Sequence, residues 1–324
     1  MAIQRAKASE GVCDSGLHGC VTAWDDTVPE QLRAMVSDGV VTVKMFTTYR
    51  GESMADEDTI LRVMTELRSL GGMVVIHCEA NHIIEDVQQR SAARGTISAG
   101  HHHETRPSLA ETASVAEILA IAESLDAPVY FVHQSTPEAV DLVAAARARG
   151  VRAYTETVAH HLVLDESEYE GDHPERFVCC PPLRPRSTVD GLMGRVAMGQ
   201  VSTIGSDHCC YDTAQKTRVR HDVRVMPNGL PGVETRLPVI FSELVTRRGP
   251  PVQRFVQAVS ANPAKLNGLY PRKGVIAPGA DADLALWDPT LVREIRATDL
   301  HMATEASCAT VLWWTPPAWP ASAR

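Results

Sequence analysis

The sequence lacks several features that would assign it to a particular class of protein. It has no apolar run of about 18 residues, which a membrane-spanning helix requires. Its first residues (MAIQRAKASEG) lack the apolar core of a signal peptide. The net charge is −9, and no basic patch of the kind that binds nucleic acid stands out. We therefore expect a cytoplasmic protein without a membrane or nucleic-acid partner.

Its cysteines do not form the patterns that disulfide-rich or zinc-knuckle domains need. There are eight, and no two are spaced as CxxC. Two pairs are adjacent in the chain, Cys179–Cys180 and Cys209–Cys210. We expect reduced, mostly buried thiols, since a free cysteine commonly behaves as a small apolar side chain.

What the sequence does have is an alternation of strand-like and helix-like segments. Amphipathic patterns predict helices over 56–70, 108–125 and 137–150, of which the first ends at Gly71–Gly72 and the last in glycine. Strands separated by helices indicate βαβ units and a parallel sheet. The predicted strands lie at about 17–23, 40–46, 73–78, 128–134, 151–158 and 201–206.

Four of these strands end on, or close to, a polar residue that can take part in catalysis or metal binding: Lys44, His77, His133 and Asp207. Lys44 lies in an apolar, β-branched run (GVVTVKMFTTYRG), which predicts a buried side chain. Each of the four alone has an ordinary explanation, such as a satisfied core histidine, a helix cap or a paired lysine. Parallel α/β folds, however, place function at the carboxyl ends of their strands. Imidazoles and a carboxylate are donors that zinc or manganese accepts. Together the four residues predict a metal site.

Two other segments give weaker signals. The HHH run at 101–103 contains an HxH pattern but stands in a polar stretch, so we expect a solvated loop. Residues 274–289 (GVIAPGADADLALWDP) alternate between turn residues and short apolar pieces, which predicts a small β unit. We expect a barrel domain over 1–270, a remnant of a small β domain over 271–301, and an irregular tail over 302–324.

At the level of motifs the chain resembles the D-hydantoinases and dihydropyrimidinases, cyclic-amide hydrolases of the amidohydrolase superfamily. The matching stretches run in family order from about residue 14 to residue 304. They are DSGLHGCVTAWDD, VKMFTTYRG, VIHCEANH, VHQST, ETVAHHLVLD, VCCPPLR, SDHC, NGLPGVETRLP, NPAKLNGLYPRKGVIAPGADADLALWDP and TDLHMAT. The resemblance implies a (β/α)8 TIM-like barrel with a small β-sandwich domain.

The resemblance also implies roles for individual residues. It implies that Lys44 is N-carboxylated and bridges two divalent metals, with zinc expected, and that His77 and His133 complete the second metal's ligands. Asp207 is implied to bind the first metal and to shuttle the proton, and Tyr49 to stabilise the oxyanion. Asn228 and Cys180 are implied to contact the substrate ring, where Cys180 replaces the serine usual before the Pro-Pro pair.

One expected motif is missing. The family's first barrel strand carries an HxH pair that binds the first metal, and the position of Lys44 would put that strand before residue 1. The six predicted strands likewise fall short of the eight of a closed barrel. We therefore expect a barrel that lacks its first two strands, and one or two metal ions per chain.

The function implied is metal-dependent hydrolysis of a cyclic amide. A metal-bound hydroxide would open a hydantoin or dihydropyrimidine ring to an N-carbamoyl amino acid, and the family's homotetramer would be the expected assembly. Allantoinase and dihydroorotase share this chemistry and stay open as near alternatives. A catalytically inactive dihydropyrimidinase-like scaffold protein is the alternative from another class, favoured only by the absent HxH pair.

Overall fold

The structure is a computed structural model that describes residues 2–301, in two compact units. The described part of the first unit comprises residues 2–82, Leu109–Val132 and Asp141–Thr155. That of the second comprises Ile83–Ser108, His133–Val140 and residues 156–301. The predicted tail, 302–324, lies outside the described residues, and the proposed domain boundaries at 270 and 301 stay predictions.

All six predicted strands are present in the described chain, and every pairing between neighbours is parallel. In the first unit β1 to β5 pair in chain order, with Ala153–Thr155 of β5 lying against β4. In the second unit the remaining residues of β5, from Glu156, pair with β6. The strands are β1 Gly19–Cys20, β2 Thr42–Phe46, β3 Met73–His77, β4 Val129–Phe131, β5 Ala153–Val158 and β6 Thr203–Gly205.

Helices separate these strands, as a parallel sheet requires. The α-helices are α1 Ala2–Ala8, α2 Val28–Ser37, α3 Glu57–Ser69, α4 Asn81–Arg94, α5 His102–Thr105, α6 Ser108–Leu125, α7 Pro137–Ala148, α8 Ala159–Val163, α9 Arg186–Met198, α10 Thr213–Thr217, α11 Arg236–Ile240, α12 Val252–Val256 and α13 Asn262–Leu266. Short 3₁₀ turns cover Ala99–His101, Glu166–Glu170, Pro174–Phe177, Val223–Val225 and Ala297–Asp299, and π-helical segments cover Phe241–Arg247 and Gln257–Ala261.

Helix α3 illustrates how the sequence defines an element. The Asp56 side chain caps its start by accepting a hydrogen bond from Thr59 N at 2.8 Å. Its apolar face is fully buried, with Ile60, Val63, Met64 and Leu67 each 1% exposed or less. Gly71 follows at a φ of 74°, a left-handed conformation that glycine adopts without steric cost. The predicted helix is confirmed.

The apolar core is divided between the two units. In the first, all five residues of β3 are buried, consistent with a parallel strand covered on both faces. In the second, α8 and α9 contribute Leu162, Leu192 and Met193 to a cluster that also contains Ile204 of β6 and Phe255 of α12. These two cores hold the strand ends that carry the candidate site residues.

Residues 274–289 do not form the short strands that their alternation predicts. The segment contains no strand, and Ile276 and Leu286 are 88% and 99% exposed. A strand needs a neighbouring backbone to pair its N–H and C=O groups, and alternation alone does not supply one. The strand prediction is therefore wrong for this segment. Across residues 2–301, no helix is both long enough and apolar enough to cross a bilayer.

Candidate active site

Lys44, Tyr49 and His77 belong to the first unit, on or just after neighbouring strands. Lys44 is the third of the five residues of β2, and His77 is the last residue of β3, paired in register with Phe46. The Lys44 Nζ lies 4.8 Å from the centre of the Phe46 ring, a cation–π distance. The Tyr49 and His77 rings are 5.4 Å apart. Aromatic rings therefore frame the lysine and the histidine.

Lys44 differs from the sequence prediction in two respects. It is half-buried instead of fully enclosed, and it lies two residues before the end of its strand. Its charge nevertheless acts on its neighbours: burial, and then the Lys44 ammonium, lower the pKa of His18. An ammonium that affects neighbouring groups while keeping some solvent contact remains accessible for chemistry at its nitrogen.

His77 is oriented by a carboxylate that the sequence analysis did not select. Its Nε2 donates to Glu79 Oε2 at 2.7 Å, and Glu79 is completely buried. This bond places the proton on Nε2 and leaves the lone pair on Nδ1, the form in which imidazole binds a cation. The only sequence signal was an acidic residue two positions after a histidine at a strand end.

His133 and Asp207 belong to the second unit, and each lies two residues beyond its strand. The His133 backbone N–H donates to Glu156 Oε1 at 3.3 Å. The absence of a side chain at Gly205 leaves room for the Glu156 carboxylate, because a Cβ at position 205 would lie 2.7 Å from Glu156 Cδ. Glu156 was also missed, since a glutamate inside an alternating strand looks solvent-exposed in the sequence.

Backbone strain is concentrated at the predicted site residues. Among the described residues, four that are not glycine have a positive φ: Tyr49 at 70°, Asp126 at 47°, His133 at 39° and Asp207 at 45°. Such conformations are costly for residues with a Cβ and persist where the surrounding fold enforces them. Two of these four, His133 and Asp207, were predicted from their positions at strand ends, and Tyr49 was implied by the family resemblance. Backbone strain entered neither prediction, so it supports a functional role for these residues.

The loop that carries Asp207 is hydrogen-bonded to the loop that follows Asn228. His208 Nδ1 accepts a hydrogen bond from Gly232 N at 3.0 Å, and Cys209 N donates to Leu230 O at 3.0 Å. Burial lowers the pKa of His208, which keeps its ring neutral and able to accept. Asp207 itself is exposed. The two residues that follow Asp207 are therefore held by the loop after Asn228.

Asn228 presents an acceptor that the described chain leaves unused. Its Nδ2 donates to Met226 O at 3.2 Å. Its Oδ1 is buried, and no donor among residues 2–301 reaches it. A buried acceptor without a donor costs about 1–3 kcal/mol, so such an atom calls for an explanation. An N–H group of a bound ligand would supply the missing donor.

Lys216 holds together the loops that carry Cys180 and Asn228. It is 2% exposed, and its Nζ donates to Val178 O at 2.8 Å and to Gly229 O at 2.7 Å. Gly229 N also donates to Val178 O at 3.1 Å. A buried ammonium between two main-chain carbonyls thus sets the spacing of two loops that begin far apart in the sequence. Nothing in the sequence marked this lysine.

Replacing Lys216 by methionine should lower the free energy of unfolding by about 2–4 kcal/mol, because two buried carbonyls lose a charged donor. Urea unfolding followed by circular dichroism measures this. Lys265→Met is the matched control: Lys265 is exposed and contacts only the Tyr270 ring, at 5.1 Å, among the contacts described, so its loss should cost below about 1 kcal/mol. Equal losses in the two variants would show that Lys216 does not brace these loops.

Cys180 is buried next to a histidine of the HHH run. Its Sγ is 4.0 Å from His102 Nε2, which donates to Cys179 O at 2.7 Å. His102 is 1% exposed, and the His103 ring stacks on Tyr169 at 5.2 Å. The prediction of a solvated loop at 101–103 is therefore wrong. The polar composition of the run suggested exposure, whereas His102 is buried by its contact with a loop 77 residues further along the chain.

The prediction for the cysteines is confirmed only in part. All seven that the structure describes are free thiols, as expected. Only three of them, Cys78, Cys179 and Cys180, are buried. Cys13, Cys20 and Cys210 are exposed, and Cys209 is half-buried.

Comparison with known proteins assigns the chain to a family. A model of the amidohydrolase family matches residues 17–311. The chain belongs to this family. The D-hydantoinase of Ralstonia pickettii is 36% identical over 91% of this chain and 65% of its own length. The dihydropyrimidinase of Rattus norvegicus is 34% identical over 90% of this chain and 57% of its own length. The resemblance predicted from the motifs is confirmed.

Solved structures of such enzymes share the fold of this amidohydrolase. A crystal structure of D-hydantoinase superposes with a TM-score of 0.92 at 33% identity, over 95% of this chain and 68% of that one. The dihydropyrimidinase of Brevibacillus agri gives 0.91 at 34% identity, over 94% and 68%. The predicted amidohydrolase-type α/β fold is confirmed. The chain spans about two thirds of the length of the D-hydantoinases it matches.

The chemistry of the predicted donors suits a divalent metal. His77 has the carboxylate-bonded tautomer common among metal-ligating histidines. Asp207 supplies a carboxylate and His133 an imidazole, both frequent ligands of zinc. Each of these residues, taken by itself, therefore carries a donor atom that a divalent metal accepts.

Proposed function

We propose that this amidohydrolase opens cyclic amide rings of the hydantoin or dihydropyrimidine type by hydrolysis, giving N-carbamoyl amino acids. The observation that carries the proposal is the strained backbone at Tyr49, His133 and Asp207, three residues that the strand ends or the family resemblance had already indicated. The relatives named D-hydantoinase and dihydropyrimidinase support the same substrate class.

In this proposal Lys44, His77, His133 and Asp207 are the metal ligands, with Lys44 N-carboxylated and zinc as the metal. A carbamate converts the lysine from a cation to an anion, which suits a residue that would bridge two cations. When bound, the metal ions would lower the pKa of a water molecule and polarise the scissile carbonyl. The remaining steps fall to side chains of the protein.

Tyr49 would stabilise the charge that develops on the carbonyl oxygen. The phenol donates a hydrogen bond, and its ring is held against those of Phe46, at 6.0 Å, and His77, at 5.4 Å. A donor fixed before the reaction stabilises an oxyanion without reorganising. The left-handed backbone at Tyr49 supports a fixed position for this donor.

Asp207 would move the proton. Its exposed carboxylate accepts a proton from the attacking water as the new C–O bond forms, and gives it to the ring nitrogen as the C–N bond breaks. Asn228 would accept a hydrogen bond from a ring N–H at its buried Oδ1. Cys180 would complete the substrate contacts, through its thiol or its backbone.

The function is tested with the full-length chain, zinc and a panel of rings: a 5-substituted hydantoin, dihydrouracil, allantoin and dihydroorotate. We expect N-carbamoyl product from the first two, measured colorimetrically, with loss of turnover on chelation and recovery when zinc is restored. Turnover of allantoin alone, or of dihydroorotate alone, would show that the protein is an allantoinase or a dihydroorotase instead. Zinc-loaded protein that binds a hydantoin but never opens it would contradict the proposal.

The carbamate is tested separately from turnover. Protein equilibrated with ¹³C-labelled bicarbonate should show a carbamate carbon resonance in the wild type, and no such resonance in Lys44→Met. Lys265→Met is the control, because that lysine is exposed and should leave the signal unchanged. A signal that persists in Lys44→Met would show that the carbamate is on another amine and would contradict the carboxylation of Lys44.

A further inference from the structure

A group of side chains suited to binding a metal lies buried in the second unit, and none of the three is among the residues assigned to hydrolysis. His160 and His161 stand next to each other in α8, and Cys179 lies in the loop before Pro181. One ligand atom from each lies within 4.8 Å of the others. The three residues are 7%, 3% and 1% exposed. We call them the His–His–Cys cluster.

Two of these three side chains, Cys179 and His161, share one hydrogen-bond acceptor. Cys179 Sγ donates to Pro181 O at 3.3 Å, and His161 Nε2 donates to the same oxygen at 3.0 Å. The His160 and His161 rings lie 4.6 Å apart, edge to face. The loop is also braced by His102, which donates to Cys179 O at 2.7 Å. The cluster is therefore ordered by its surroundings before any ligand arrives.

The separation of the ligand atoms suits a single small cation. Metal bonds of about 2.0–2.3 Å in a trigonal or tetrahedral arrangement place the ligand atoms about 3.5–4 Å apart. Atoms already within 4.8 Å need only small side-chain rotations to reach this spacing. Two imidazoles and a thiolate form a soft donor set, which favours copper or zinc over magnesium or calcium.

Charge distinguishes between the soft cations. The Lys216 ammonium is buried close by, donating to the carbonyl of Val178, the residue before Cys179. A divalent ion on one thiolate would leave a net positive charge beside this ammonium, in a region that excludes water. A monovalent ion on the Cys179 thiolate leaves no net charge. We propose that the His–His–Cys cluster binds copper(I).

Burial also predicts how the ion exchanges. None of the three side chains is more than 7% exposed, so copper(I) would enter during folding or through local opening. Exchange with a chelator should therefore be slow in the native protein and fast once denaturant opens the fold. Exposed thiols such as Cys13 and Cys210 would instead lose copper(I) rapidly.

The test loads the full chain with copper(I) under anaerobic conditions and washes it with excess glutathione to clear surface thiols. We expect about one copper per chain in the wild type and less than about one tenth of that in Cys179→Ser.

Cys180→Ser is the matched control, because this neighbouring buried cysteine is outside the cluster. X-ray absorption should show one sulfur and two nitrogen ligands in wild type and control. His161→Asn should lose retention as well, with thermal unfolding confirming that each variant is folded.

Three outcomes would overturn the proposal: equal copper retention in wild type and Cys179→Ser, equal loss in Cys180→Ser, or retention of cobalt(II) in place of copper(I). The result is independent of the hydrolase proposal, since Lys44, His77, His133 and Asp207 contain no thiol. Hydantoin hydrolysis without copper retention would contradict only the copper(I) site, and copper retention without hydrolysis would contradict only the hydrolase proposal.

Discussion

Asp207→Asn should reduce the proposed cyclic-amide hydrolysis by about 10²–10⁴-fold, the range expected when a general acid–base group is removed. The amide has nearly the same shape as the carboxylate but cannot accept and return a proton at neutral pH. Asparagine also tolerates the left-handed backbone of this position, where φ is 45°. Because Asp207 is exposed, the free energy of unfolding should change by less than about 0.5 kcal/mol.

The chain offers a matched control for this substitution. Asp126 is also an exposed aspartate with a left-handed backbone, at a φ of 47°, but it pairs with Arg68 and Arg152 on the surface. Asp126→Asn should leave turnover within about twofold of wild type and cost at most about 1 kcal/mol of stability. Steady-state kinetics on a hydantoin, together with urea unfolding, measures both. Full activity in Asp207→Asn would remove this residue from the proposed proton transfer.

Tyr49→Phe should lower kcat by about 10²–10³-fold while KM changes little, because the phenol is proposed to bind the oxyanion that exists only in the transition state. The aromatic ring and its contacts with Phe46 and His77 are retained in this variant. The backbone strain at position 49 is the same in both proteins, so stability should change by less than about 1 kcal/mol.

Tyr154→Phe is the control for Tyr49→Phe. Tyr154 is a half-buried tyrosine of β5 to which no catalytic role is assigned, so the same loss of a hydroxyl should leave kcat within about twofold. A parallel rise in KM with unchanged kcat for Tyr49→Phe would instead make its hydroxyl a ground-state substrate contact. Equal effects of the two variants would contradict the proposed oxyanion role.

The candidate residues could be found in the sequence because a parallel sheet collects its carboxyl ends on one side. His77 is the last residue of β3, and His133 and Asp207 follow β4 and β6 by two residues each, close to where the pattern predicted them. Lys44 was less accurately predicted. Its apolar neighbours in β2 indicated full burial, yet the exposure of a side chain depends on what packs over it, and Lys44 keeps partial contact with solvent.

The supporting residues could not be found in this way. Glu79 acts on His77 through a side-chain contact, and Lys216 joins Val178 to Gly229 across 38 and 13 residues of chain. Such partners are brought together by folding, and neither periodicity nor spacing predicts them. The HHH run shows the same limit, because the burial of His102 depends on the loop at Cys179.

The sequence by itself determined the order of six strands and their helices and the family, and it predicted the candidate site residues. These follow from local periodicity and from motifs that keep their spacing along one chain. Only the tertiary structure decided which backbone positions are strained, which carboxylate orients His77, and that His160, His161 and Cys179 meet. Those features depend on contacts between distant segments, whose geometry arises only when the side chains pack.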